Sequence, residues 1–568
     1  MAITDSSNIP HIARTGAAKQ LIVKGRSFLM LGAELQNSSL TSAEYMETVW
    51  QDLLDTNVNT VLGCVTWEMI EPVEGQFKFD ELDAVILGAR RHGLHLVLLW
   101  FGSFKNGMST YVPSWVKLNP KRFPRAKLRK AGGVLQTTEV LSLFHPEGRK
   151  ADASAFSKLM AHLKEIDQAY STVLMVQVEN EVGLLGDSRD GSAAANEAFS
   201  QPVPKDLVDY LNKSWESLHP DLRANLGVFR SSLESPKEAL RSWPQVFGKS
   251  SGTDELFMAY HYSLYVNEVA TAGKAVYPLP MYTNVWQNYN EGASTVAAGG
   301  GAPGDYPSGG ATSNVLDIWQ RFAPSLDFIA PDIYLNDYGV TCEKYRHGGQ
   351  PLFVPEQRRD AFGARRIWIA LGTFGALGTS PFGIDTVSPA TNPFTKHYGL
   401  LRSVSAIVLE AQRNPGSSIG FCFDEESSSH THGPPITQQW GAYELTIEGC
   451  FVFGRPGPAA GMVIYRGGAT FLLIGWGFQV RAKSTTTGST FTGILRFEEK
   501  VIADEETGKL STLRMLNGDE TRGGCFAMMP SEDPDYGGFP ICVTIPARTM
   551  IAELELYSID DDDDFQEN

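Results

Sequence analysis

Val176-Gln177-Val178-Glu179-Asn180-Glu181-Val182-Gly183 is an apolar run that stops abruptly on two carboxylates flanking an amide, followed by a glycine. Its β-branched residues predict a strand over 173–179, and apolar residues at helical spacing predict a helix over 153–170 in front of it. The same unit recurs from about residue 20 to about residue 420: a short apolar run, a polar loop, a helical stretch. Further strands are predicted at 28–35, 60–67, 95–101, 280–286, 326–334, 351–355 and 374–381, and further helices at 42–55, 79–91 and 204–218.

Strands that alternate with helices imply a parallel sheet covered by outer helices. Eight such units fit a (β/α)8 TIM barrel with long insertions. A doubly wound sheet is the alternative, but no GxGxxG opens a helix after the first strand, which weakens its dinucleotide-binding form. The stretch 288–313, with the run Gly299 to Gly301, reads as a long insertion at the binding end of the barrel.

After about residue 430 the texture changes to short alternating runs at 451–453, 461–465, 470–476 and 541–545, separated by Gly, Asp and Pro turns. We therefore expect a catalytic barrel over 1–430, an all-β, sandwich-like domain over 431–558, and a disordered acidic tail over 559–568. The consecutive acids at 560–564 repel one another and stay solvated.

Composition narrows the function. The 568 residues are 42% hydrophobic and 11% aromatic, enough to fill a sizeable core. A net charge of -17 repels phosphate backbones and anionic membrane surfaces, so neither nucleic acid nor a membrane is an expected partner. No signal-peptide core opens the sequence and no run is apolar enough to span a bilayer, so a cytoplasmic protein is expected, with the sequons at Asn37 and Asn212 unused. The six cysteines have no CxxC spacing, no HExxH is present, and His430 and His432 fall in a polar loop. We expect buried thiols and no metal or cofactor. No GxSxG elbow supports a serine hydrolase.

In a barrel, side chains at the carboxyl end of a strand point into the active site. The fourth strand ends on Glu181, and Pro351 to Glu356 ends the seventh on a single acid. Glycoside hydrolysis needs such a pair on opposite sides of a sugar bond, one protonated and one ionised. Asn180 is placed to bind a sugar hydroxyl. An isolated Asn-Glu pair more often caps a helix, and an isolated strand-end acid more often pairs with an arginine such as Arg358 or Arg359; the combination points to catalysis.

The stretches Gly32 to Leu35, Trp67 to Pro72 with Gly75 and Phe77, and Gln177 to Gly183 resemble family 35 glycoside hydrolases, and the likeness runs over most of 20–430. The resemblance implies a retaining exo-enzyme acting on terminal non-reducing β-D-galactose, with Glu181 as acid/base and Glu356 as nucleophile. Strand 2 departs from the WNxHEP motif of the best-known branch, with Glu68 for Asn and Ile70 for His, and is also similar to family 42 β-galactosidases. Asn37 to Ser39, Leu98 to Ser103 and Lys121 to Arg125 look closer to a subgroup with a β-rich C-terminal domain. The clan also implies that Tyr334 hydrogen-bonds the nucleophile, and Asp332 shares its face.

The remaining candidate substrate ligands are Glu34, Asn37, Trp67, Glu68, Trp100, Asn284 and Trp286, the aromatics as stacking faces and the others through hydroxyl hydrogen bonds. The long loop and the β domain are expected to narrow the pocket to one sugar. Two readings compete: an exo-glycosidase with another specificity (galactofuranoside, arabinoside, β-glucoside or β-xyloside), and a carbohydrate-binding protein without turnover. A retaining mechanism predicts carboxyl groups about 5 to 5.5 Å apart, an inverting one about 6.5 to 9.5 Å.

Overall fold

In the computed structural model, residues 9–230, 241–289, 300–424, 434–450, 457–532, 538 and 548–560 are described. The runs 451–453 and 541–545, both loop histidines His430 and His432, positions 561–564 of the acidic run and 290–299 of the long loop lie outside the described residues.

Eight parallel strands close into a barrel in chain order: β1 (Met30–Glu34), β2 (Thr60–Thr66), β3 (His95–Lys105), β4 (Val173–Asn180), β5 (Met281–Val285), β6 (Phe328–Ile333), β7 (Val354–Gln357) and β8 (Gly378–Pro381). Each predicted strand is present, with its ends moved by a few residues. Period-two alternation sorts the side chains into two layers. On β3, Val97, Leu99 and Phe101 fill the interior together with Leu62, Cys64, Tyr282, Phe328 and Phe353. Leu96, Leu98 and Trp100 face outward into the helical layer.

Two features had no signal in the periodicity. Three short antiparallel strands, His11–Thr15, Ala18–Val23 and Arg26–Phe28, form a sheet whose Leu21 and Val23 join the interior cluster and seal the barrel's N-terminal end. The helix Ser251–Lys274 has no amphipathic pattern because it is buried around most of its circumference. No helix among the described residues is long and apolar enough to cross a membrane.

The C-terminal part is a sandwich of a six-stranded and a four-stranded antiparallel sheet. Phe421, Val463, Phe471 and Leu473 from the first meet Leu445, Ile447, Phe478 and Val480 from the second. The larger sheet begins with Ser418–Phe423, ahead of the textural change at 430. Its other face, through Met462, Ile464, Leu472 and Ile474, belongs to the core of the barrel's outer helices. Contact is closest at Gly420, where a Cβ would meet the Trp368 carbonyl at 1.8 Å, so only glycine fits.

Candidate active site

Glu34, Glu181, Asp332 and Glu356 arrive at the C-terminal mouth from the ends of β1, β4, β6 and β7, and all four are buried. One carboxylate oxygen from each of Glu181, Asp332 and Glu356 lies within 4.8 Å of the other two. Asp332 and Glu356 are register partners on neighbouring strands, which forces their closeness. The Tyr334 hydroxyl donates to Glu356 Oε1 at 2.5 Å. Asn284 on β5 accepts from the Glu181 backbone N–H at 2.9 Å and donates to Asp332 Oδ2 at 2.8 Å. That bond helps pin Glu181 in the left-handed region, φ 45°, where a non-glycine residue is strained.

Four acids so placed cannot all ionise. Burial first, then the nearby Glu356, pushes the Glu181 carboxyl up to about 7, against the pull of Lys105. Burial and Glu356 likewise hold Asp332 and Glu34 well above the usual carboxylate range. Carboxyls drawn towards the neutral form are able to donate a proton.

Among the other predicted ligands, Asn180 is buried, and neither its Oδ1 nor its Nδ2 meets a partner among the described residues. An unspent donor and acceptor at a cavity mouth match what a hydroxyl offers. Trp286 is half-buried just past β5. Asn37 is half-buried after β1, and its carbonyl accepts the Cys64 thiol at 2.5 Å.

Two candidates are not brought to the cluster. Trp67 is fully buried and donates through Nε1 to Glu71 at 2.8 Å, a structural bond within its own turn. Trp100 falls on the outward phase of β3 and donates to Asp152 at 2.9 Å. Its neighbour Phe101 is the inward one. Glu68 sits on the short helix Trp67–Ile70 and pairs with Lys117 at 3.2 Å.

Lys105 was missed. It is buried, its ammonium stands 4.9 Å over the Phe101 ring, and it lowers the pKa of both Glu34 and Glu181. No alternation points to it, because the ladder slips between Trp100 and Lys105 and Ser103 Oγ is turned outward to Tyr265.

The described part of the long loop, from residue 300, packs beside this end of the barrel. Leu184 and Ser308 bridge, and Gly183, at φ 141°, has Pro307 atoms where a Cβ would stand, at 2.5 Å. Among the described residues, none of those gathered at the mouth comes from the sandwich. Its packing runs through the helix Ala361–Trp368 and the following turn Ile369–Thr373, on the outer wall.

Barrel and carboxyl cluster together are the arrangement used by glycoside hydrolases of the barrel type. More particularly, residues 40–218 match the glycoside hydrolase family 42 model, described as Beta-galactosidase, and residues 394–528 match a domain of unknown function (DUF5597). The matching model is that of family 42, which corrects the expectation of family 35; strand 2 had already departed from the latter's motif. No curated relative matches the chain.

Solved structures similar to it include a β-galactosidase from Bacillus circulans sp. alkalophilus, at 15% identity, TM-score 0.44, over 67% of this chain and 57% of that one. A β-galactosidase from the psychrophilic Marinomonas ef1 has 12% identity and TM-score 0.45 over 68% and 62%. The catalytic domain of β-amylase from Paenibacillus polymyxa has 14% and 0.42 over 65% and 97%. The chain thus spans 57% of the length of the first of these relatives.

Proposed function

We propose that the chain is a retaining exo-β-galactosidase in which Glu356 is the nucleophile and Glu181 the acid/base. The observation that carries this reading is the closeness of the two acids: an oxygen of each within 4.8 Å of one of the other favours the short spacing of a retaining pair over the wider one of an inverting pair. In the first step Glu356 forms a bond to the anomeric carbon while Glu181 gives its proton to the departing glycosidic oxygen. In the second, Glu181 takes a proton from water, the water oxygen bonds to the anomeric carbon, and Glu356 leaves with configuration retained. A carboxyl held up to about 7 suits the first task, and the Tyr334 hydrogen bond fixes the nucleophile's orientation.

The choice of galactose is supported by the family match over 40–218, which includes the Asn180-Glu181 motif. Exo action is supported by the loop bridged at Leu184 and Ser308, which walls the mouth. In this reading Asn180 binds a hydroxyl of the terminal sugar and Asp332, kept neutral, donates to it or to Glu181. The test is a panel of nitrophenyl glycosides with wild type and Glu356→Gln, with the anomer first formed followed by NMR. Release from β-galactopyranoside as the β-anomer, abolished in the variant, is expected. Preference for another glycoside overturns the sugar, the α-anomer overturns retention, and an unimpaired variant overturns the nucleophile.

A further inference from the structure

Strands β3 and β4 lose register just before they enter the site. Trp100 pairs with Val178 but Lys105 pairs with Asn180, so four residues of β3 stand opposite Glu179 alone. A bulge of this size strands backbone N–H groups that the ladder would have used. Glu179 collects two of them: Ser103 N–H donates to Oε1 at 3.2 Å and Phe104 N–H to Oε2 at 2.7 Å.

Asp152, from the helix Pro146–Asp167, accepts from the Trp100 indole at 2.9 Å and from Ser103 N–H at 3.1 Å. The Tyr265 hydroxyl is 2.7 Å from Ser103 Oγ and 3.2 Å from Asp152 Oδ2. Both acids are fully buried, and a Cβ on Gly102 would stand 2.7 Å from an oxygen of each. Two dry carboxyls in contact share a proton, and burial followed by Asp152 holds Glu179 well above its ordinary range.

Beyond the bulge the chain is tied to the catalytic strand. Asn106 N–H donates to the Asn180 carbonyl at 3.2 Å and Gly107 N–H to the Glu181 carbonyl at 3.0 Å. We propose that Glu179, paired with Asp152, is a positioning residue: the carboxyl pair clamps the β3 bulge and thereby sets Lys105 against Glu181. This rests on the reading of Glu181 as the acid. Lys105 is the cation that favours ionised Glu181, a hydrogen bond with Asp332 favours it too, Glu356 opposes it, and Glu34 and the Tyr289 phenol stand near.

The experiment compares pH profiles of kcat/KM for wild type, Lys105→Met, Glu179→Leu, the double variant, Glu179→Gln and Tyr265→Phe. Loss of the cation moves the alkaline limb of Lys105→Met up by about one pH unit. Glu179→Leu should move it the same way, and the double variant should be no worse than the weaker single one, because both act on one contact. Glu179→Gln keeps an acceptor for the bulge and supplies an amide proton to Asp152, so it should hold the limb and stay within about threefold of wild type.

An unmoved limb in Glu179→Leu, with losses that multiply in the double variant, overturns the proposal. Should that variant fail to fold, Tyr265→Phe decides: a smaller upward move supports the clamp, and a folded protein with an unmoved limb overturns it. If wild type turns over no glycoside, the reading of Glu181 has failed instead. Amide exchange at Ser103 and Phe104 then judges the clamp alone, with rates in Tyr265→Phe and Glu179→Gln compared with wild type; no faster exchange in Tyr265→Phe overturns it.

Discussion

Two carboxyl clusters meet on the end of β4, one built on Glu179 and the other on Glu181, two residues apart on one strand. In the first, all four oxygens of Glu179 and Asp152 accept from backbone N–H groups, the Trp100 indole or the Tyr265 hydroxyl. In the second, Asp332 Oδ1 and both polar atoms of Asn180 have no partner among the described residues. Burial is equal; the supply of donors is not. A buried acid whose hydrogen bonds are complete holds structure together, whereas one left with unspent neighbours is prepared for a ligand. The same residue type therefore serves opposite ends according to what surrounds it.

The hardest test of this contrast applies one isosteric change to both clusters. Glu356→Gln should lower kcat on the order of 10^4-fold or more, as loss of a nucleophile does, while Glu179→Gln leaves kcat nearly unchanged. Comparable losses in steady-state assays would erase the distinction. Next in size, Glu181→Gln should cost about 10^2 to 10^4-fold on substrates with poor leaving groups, which need the proton, and much less on a dinitrophenyl galactoside, which does not. A loss independent of the leaving group would remove Glu181 from the acid's role.

A third effect is in the pH profile. The general acid must hold its proton, and the Glu181 carboxyl is pushed up to about 7, by burial first and then by Glu356. Activity should decline as pH rises through about 7, and this limb should vanish in Glu181→Gln on the dinitrophenyl substrate. A limb that survives unchanged would belong to another group.

These contrasts bear on what a sequence reveals. The barrel was legible because each strand is a short apolar run flanked by turn residues, and the mouth because Glu181 and Glu356 both end such runs. What was hidden depends on phase. Trp100 reads as a pocket aromatic by its place near a strand end, yet one step of alternation turns it outward and makes Phe101 the inward residue. Lys105 lies past a bulge, and no period continues through a bulge. Trp67 and Glu68 head a short helix instead of ending a strand, which takes their side chains to Glu71 and Lys117. The N-terminal sheet closes the barrel floor from a segment in which no strand was predicted ahead of residue 28.

The smallest expected effect is on stability, where the two clusters should differ in sign. Glu181 has a carboxyl near pH 7 in the fold against an ordinary value near 4.5. Between those values the folded protein binds more protons than the unfolded chain, so this group's contribution falls as pH rises through the window. At pH 8 an ionised, buried Glu181 opposes folding by roughly 1 to 3 kcal/mol, which a neutral glutamine avoids. Glu181→Gln should therefore melt above wild type at pH 8 and level with it at pH 4, where wild type is protonated in both states. Glu179→Leu should melt below wild type at both pH values, because it abandons Ser103 and Phe104 N–H groups whatever the pH. If Glu181→Gln gave no gain at pH 8, Lys105 would have to be compensating the ionised acid fully, and the acid's pKa, and with it the alkaline limb, would then fall towards the ordinary carboxylate range.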